Sequence, residues 1–242
     1  MFSHLYTLFI FNPLYNGLIF LMDLLPWIDA GVAVIIFTII VRLILFPLSK
    51  KAVITQLMMK KIEPEINKIK TTMANDRNAQ AMKMMALYKE KGISPFSSFI
   101  FLIIQLPIIF ALYSIFIKSG LPDINRTILY DFIHIPTVNM NFLGILDISK
   151  ASTAMAIIAA VSQYLQLHFS INSPKKDNNK TANVNKQLDM TQNMMSNMKY
   201  IVPVMIFLIS YKYSAVIALY WTVSSLFTLA QEIYIKKSLK EA

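Results

Sequence analysis

The run Ala30–Leu48 (AGVAVIIFTIIVRLILFPL) carries a single charge, Arg42. An apolar stretch of about this length reads as a membrane-spanning helix. A charge inside such a helix costs roughly 2.5–3.5 kcal/mol on insertion scales, so it calls for a partner and a functional reading. A structural alternative exists. Arg42 lies six residues before Leu48, roughly 9 Å along a helix, and its side chain can snorkel to the interface. Position alone leaves both readings open.

The remaining composition narrows the choice. The 242 residues are 56% hydrophobic with a mean hydropathy of +0.53, far above an ordinary soluble domain, and this marks a polytopic membrane protein. There is no cysteine, which excludes disulfides, thiolate metal sites, a cysteine nucleophile and a lipid-bearing cysteine. The three histidines, His4, His134 and His168, are far apart and make no metal-ligand pattern. No phosphate-binding glycine loop and no GxSxG elbow is present. The expectation is therefore a protein without cofactor or metal, and not an enzyme.

Charge is distributed unevenly along the chain. Residues 49–95 hold ten basic residues, 170–200 hold five and 236–242 hold three. The alternate segments hold none in 1–41, three in 118–150, and Lys212. Basic residues concentrate on the cytoplasmic side of membrane proteins, so the N-terminus is expected outside and the C-terminus inside. The net charge of +10 then reflects orientation rather than nucleic-acid specificity. The apolar start lacks a basic n-region, so it is expected to be retained rather than cleaved as a signal peptide.

This parity fits five spans: 30–48, 95–117, 151–169, 201–213 (or starting near 195) and 215–235. Residues 1–29 form an outer segment, with an amphipathic surface helix expected at Pro13–Leu25, because Asn12-Pro13 interrupts the apolar run and Asn16, Gly17 and Asp23 follow. Residues 118–150 form an outer loop, 170–200 a polar cytoplasmic loop flexible at its start, and 236–242 a short basic tail. Residues 49–94 read as a helical hairpin. Ile62, Ile66, Ile69 and Met73 are spaced as a coiled-coil seam, Asn75-Asp76 marks the turn, and Met82, Met85 and Tyr88 suggest the facing stripe. The many methionines of the hairpin either pack it or offer an adaptable apolar surface.

Polar residues recur within the spans. Thr38 and Arg42 share a helix face. Gln105 lies in the second span, and Ser162, Gln163 and Gln166 lie in the third. Trp221, Ser224, Ser225 and Thr228 make a stripe down one face of the fifth. Singly, each is explained by helix–helix hydrogen bonding. Together, with Arg42 and two glutamines at matching depth and no acidic residue in spans one to four, they suggest a shared watery cavity.

Four stretches resemble the YidC-type membrane protein insertases, a family shared with the Oxa and Albino insertases of organelles. They are PLYNGLIFL at 13–21, FTIIVRLILFPLSKKA at 37–52, MMALYKEKGISPFSSFIFLIIQLPIIFALY at 84–113 and IALYWTVSSLFTLAQ at 217–231. The resemblance implies an all-α polytopic protein of five transmembrane helices around a hydrophilic groove, open to the cytoplasm and to lipid, with a cytoplasmic helical hairpin. It implies that Arg42 is the groove arginine, that Gln163 or Gln166 is the span-three glutamine, and that Trp221, following Tyr220, is the last-span aromatic. Thr38, Ser225 and Thr228 complete the expected groove, and Gln105, Leu106 and Pro107 flank the substrate path.

It further implies insertion of nascent membrane proteins into a bacterial inner membrane without nucleotide hydrolysis. The expected partners are nascent clients and the bilayer, with the ribosome, the Sec translocon and the signal-recognition machinery as further candidates. The short tail KKSLKEA lacks the long basic extension that some members use on ribosomes. Two rival classes stand beside this reading. One is a small transporter or channel binding an anion at Arg42; the other is a passive scaffold subunit.

Overall fold

The computed structural model describes residues 2–73, 76–93, 106–111, 113–118, 121, 123–170 and 186–241. Among the described residues the regular secondary structure is helical apart from one two-stranded hairpin. Its helices are α1 (Phe2–Tyr6), α2 (Asn12–Leu24), α3 (Ala30–Ile44), α4 (Phe46–Thr72), α5 (Arg77–Glu90), α6 (Leu106–Phe116), α7 (Thr153–Ser170), α8 (Lys186–Lys212) and α9 (Ala215–Glu241). Strands β1 (Asn141–Phe142) and β2 (Leu146–Asp147) pair antiparallel, with Phe142 opposite Leu146.

Among the described residues, two helical stretches are long and apolar enough to cross a membrane, His4–Leu24 and Ala215–Leu239. The pair α3–α4 makes a third if its 62° bend lies within one span. The bend falls at Leu45 and shortens the helix expected over 30–48. Pro47 has no N–H to continue the ladder, and its ring would strike the carbonyl one turn back, so α4 restarts with proline in its first turn, where no bond is lost. Most of the expected second span, including Gln105, lies outside the described residues. So does the start of the 170–200 loop. Two helices run beyond the expected spans, α8 starting at Lys186 and α9 continuing through the basic tail to Glu241.

The N-terminal segment differs most from expectation. Helix begins at Phe2 and passes Asn12-Pro13 through a π-helical turn, Thr7–Phe11, so Pro13 sits at the head of α2 rather than breaking it. α2 is packed into the core. Tyr15, Leu18 and Ile19 are fully buried in the main core with Val34, Ile115, Ile148 and Val216. α2 runs back along α3, and a Cβ on Gly17 would lie 2.9 Å from the Phe37 ring, so the missing side chain permits the close approach.

Three polar side chains of α2, those of Tyr15, Asn16 and Asp23, bond to the 118–150 loop. Asn16, 2% exposed, donates from Nδ2 to the carbonyls of Asn12 and Ile128, both at 2.9 Å, and accepts from the Tyr130 N–H at 2.7 Å. The Tyr15 hydroxyl accepts from the Asn125 N–H at 2.8 Å, and Asp23 accepts from the His134 N–H at 3.1 Å. All of these bonds except the one to Asn12, which lies within α2, tie the helix to a segment more than a hundred residues away.

Helices α4 and α5 pack together around a small core of their own. Ile62, Ile66, Leu87 and Ile93 are buried there, with Met59, Ile69, Met84 and Tyr88 against them. The seam of α4 follows the sequence spacing. The stripe of α5 does not: Met82 and Met85 are 74% and 59% exposed, and the inward face is Gln80, Met84 and Leu87. Gln80 donates to the Lys70 carbonyl at 3.2 Å across the turn, which sets the rotation of α5. Asp76 caps α5 through the N–H groups of Asn78 and Ala79. Gly92, at φ +64°, closes it in the left-handed conformation that favours glycine.

Candidate functional site: a buried arginine on a helix-lined recess

Arg42 is 5% exposed. It sits in the last turn of α3, and its side chain reaches α9, where Nε donates to the Ser224 hydroxyl at 3.1 Å and a terminal guanidinium nitrogen donates to the same oxygen. The backbone carbonyl of Arg42 accepts from the Gln231 side chain at 3.2 Å. So α9 holds both ends of this residue, two turns apart along its own axis. Ser224 belongs to the polar stripe legible in the sequence. Gln231 extends that stripe by about one turn beyond Thr228, and an i, i+7 spacing from Ser224 would have found it.

Arg42 lines a recess together with Leu14, Phe37, Thr38, Val41, Ile108 and Tyr220. Four helices supply the walls: α2, α3, α6 and α9. Most of the lining is apolar. The Thr38 hydroxyl bonds back to the Val34 carbonyl at 2.6 Å, so its methyl group and the Tyr220 ring complete the surface beside the guanidinium. Chemically, the recess offers one positive charge in apolar surroundings, where Coulomb interactions are weakly screened.

The two glutamines do not join Arg42 there. Gln163 and Gln166 are both buried and bond to each other, Nε2 to Oε1 at 2.7 Å. Gln163 also accepts from Ser225 on α9 at 2.9 Å. Gln166 continues to Ser170, whose hydroxyl donates to Glu232. Glu232 pairs with Lys236 at 2.6 Å, and Gln56 of α4 donates to the Ser170 carbonyl at 3.2 Å. The expected constellation is thus divided by α9. One face, Tyr220 and Ser224, meets Arg42; another, Ser225 and Glu232, meets α7. Adjacent residues on a helix point about 100° apart, which is why neighbouring serines serve different sites.

The other expected residues are placed as follows. Trp221 is buried in the main core. Thr228 is half-buried and bonds back to the Ser224 carbonyl at 2.7 Å. Leu106 is exposed at the head of α6, and the Pro107 carbonyl accepts from the Tyr6 hydroxyl at 3.3 Å. Among the described residues no cluster of histidine or acidic side chains is arranged to hold a metal ion.

A mostly helical, strongly apolar chain with two helices long and apolar enough to cross a membrane has the character of an integral membrane protein. The chain belongs to the 60Kd inner membrane protein family, that of the YidC-type insertases: the family's sequence model matches residues 21–242. It is 30% identical over 232 residues to the membrane protein insertase YidC of Fusobacterium nucleatum, covering 95% of this chain and 98% of that protein. It is 30% identical over 212 residues to the insertase of the same name from Clostridium tetani, covering 88% and 84%. The corresponding protein of Clostridium perfringens is 29% identical over 246 residues, covering 99% and 93%.

Proposed function

We propose that this protein is a membrane protein insertase that receives nascent membrane-protein segments at the Arg42 recess and releases them into lipid. The observation that carries the reading is Arg42 itself: a buried cation held by the neutral hydroxyl of Ser224, on a recess walled by Leu14, Phe37, Val41, Ile108 and Tyr220. A polar or acidic segment crossing the bilayer meets a steep desolvation barrier. A fixed positive charge partway lowers that barrier for acidic segments, and the apolar walls suit the hydrophobic segment that follows. Release into lipid is driven by apolar burial at about 25 cal/mol per Å². No catalytic chemistry and no nucleotide enters this mechanism.

In this proposal five helices span the membrane and the recess forms part of a groove open to the cytoplasm and to lipid. The α4–α5 hairpin, the 170–200 segment and the C-terminus face the cytoplasm, and the arginine- and lysine-free N-terminus and the 118–150 loop face outward. Client identity is set by charge and apolar length. The ribosome, the Sec translocon and the signal-recognition machinery are candidate partners upstream of the recess. The test is rescue of a cell depleted of its own insertase. The intact chain is expected to restore growth and insertion of clients with acidic outer segments. Failure by a well-expressed, correctly inserted chain would overturn the proposal.

A further inference from the structure

We propose that the β1–β2 hairpin, with Trp27, is an interfacial anchor that sinks its tip into the outer leaflet beside the first turn of α3. This rests on reading α3 and α9 as membrane spans. The hairpin is rooted where those two helices begin. The Ala30 N–H donates to the Asn139 carbonyl at 2.8 Å, and Asp29, the α3 cap, accepts from the Leu143 N–H at 3.0 Å. On the other side, the Ile148 carbonyl accepts from the Ser214 hydroxyl at 2.8 Å and from the Val216 N–H at 3.2 Å.

The hairpin lies beside α3, not above it. The Phe142 ring occupies the space a side chain at Gly31 would need, its Cγ 2.8 Å from where a Cβ would stand. The tip therefore lies beside the cap and first turn of α3. It presents Leu143, 63% exposed, and Ile145, 87% exposed, while Trp27, two residues before Asp29, is 77% exposed.

Scattered apolar residues on a surface need no explanation. Here an exposed leucine stands at a turn position with a φ of +53°, where hairpin turns ordinarily place glycine or asparagine. The foot of the hairpin has the opposite character. Asp147 pairs with Lys150 at 3.0 Å, and the Ser149 hydroxyl and Lys150 hold the Asp147 carboxyl below its ordinary range. A charged foot, an apolar tip and a tryptophan at the head of a span match the layering of a membrane interface. Lipid is thus the occupant that fits the position, and a second protein chain is the outcome to be excluded.

The chain has no cysteine, so single-cysteine variants can be labelled cleanly with an environment-sensitive fluorophore in vesicles of phosphatidylethanolamine and phosphatidylglycerol. Three sites are compared: Ile145→Cys at the tip, Lys150→Cys at the foot and Leu226→Cys on the exposed face of α9. All three residues have exposed side chains, so folding should survive each change. The tip probe is expected to emit to the blue of the foot probe, to lose intensity with lipids spin-labelled near the headgroup and to resist iodide. The α9 probe is expected to be quenched by lipids labelled deeper in the chain. Equal iodide quenching at Ile145 and Lys150, with Leu226 still quenched by lipid, would overturn the anchor alone. Loss of lipid quenching at Leu226 would overturn the span reading on which it rests. Protection of Ile145 from both iodide and lipid would assign the tip to a protein partner and overturn the proposal.

Discussion

Arg42 is expected to act through its charge. Arg42→Lys keeps the charge but loses the two-nitrogen grip on Ser224, and should retain much of the insertion of clients with acidic outer segments. Arg42→Ala should lose it, and normal insertion by that variant would refute the electrostatic mechanism. Ser224→Ala isolates the grip from the charge. Removing the acceptor of a buried, charge-assisted bond costs roughly 1.5–3 kcal/mol, so the variant should melt earlier in detergent while the arginine remains. Asn16 is the matching test outside the recess. Asn16→Ala removes the two hydrogen bonds by which its side chain joins α2 to Ile128 and Tyr130 of the 118–150 loop, and limited proteolysis between residues 123 and 134 should accelerate. An unchanged cleavage rate would mean that the loop is held by other contacts.

Among elements, the approach of the β-hairpin to α3 depends on Gly31. Gly31→Ala should destabilise the outer end of the molecule, because a Cβ there meets both the Phe142 ring and the Asp29 carboxylate, the latter at 3.0 Å. Phe142→Leu in the same chain should recover part of the loss, and purely additive effects of the two changes would show that the ring is not the obstacle. The α4–α5 hairpin is the element expected to move. Its core is a few residues, whereas α3 and α9 share the large cluster with α2 and α6. Its amides should exchange hydrogen faster than those of α3 and α9, and protection equal to that of α3 would argue for a rigid hairpin.

For the whole molecule, the decisive question is from which side the recess is wet. A cysteine at Thr38, on the recess wall, should react with a membrane-impermeant thiol reagent added from the cytoplasm and not from outside. Cysteines at Gln163 and Ser225 should react more slowly, because those residues bond to each other in a buried network away from the recess. Reaction at Thr38 from both sides would indicate a channel. Reaction from neither side would leave Arg42 a structural residue.

Much of this was legible along the chain because it rests on local spacing. The apolar run around Arg42, the polar stripe of α9 and the Ile62–Ile66–Ile69 seam of α4 are periodicities of single helices, and a helix displays them without knowing its neighbours. The bend at Leu45 was not read from the sequence, which took 30–48 as one span, although its cause, the missing N–H of Pro47, is equally local. What tertiary structure decided is the identity of partners. Arg42 and Ser224 are 182 residues apart, and only the packing of α3 on α9 shows that a serine, rather than Gln163 or Gln166, meets the guanidinium. The polar residues of α2 suggested a surface helix because an unsatisfied Asn16 belongs in water; the 118–150 loop, from more than a hundred residues away, supplies hydrogen bonds to it, and α2 packs into the core. Met82 and Met84 are equally apolar, and it was the bond from Gln80 to the end of α4 that chose which of them faces inward. Periodicity tells which face of a helix is distinct; the long-range hydrogen bonds and the close approach at Gly17 and Gly31 tell what that face meets.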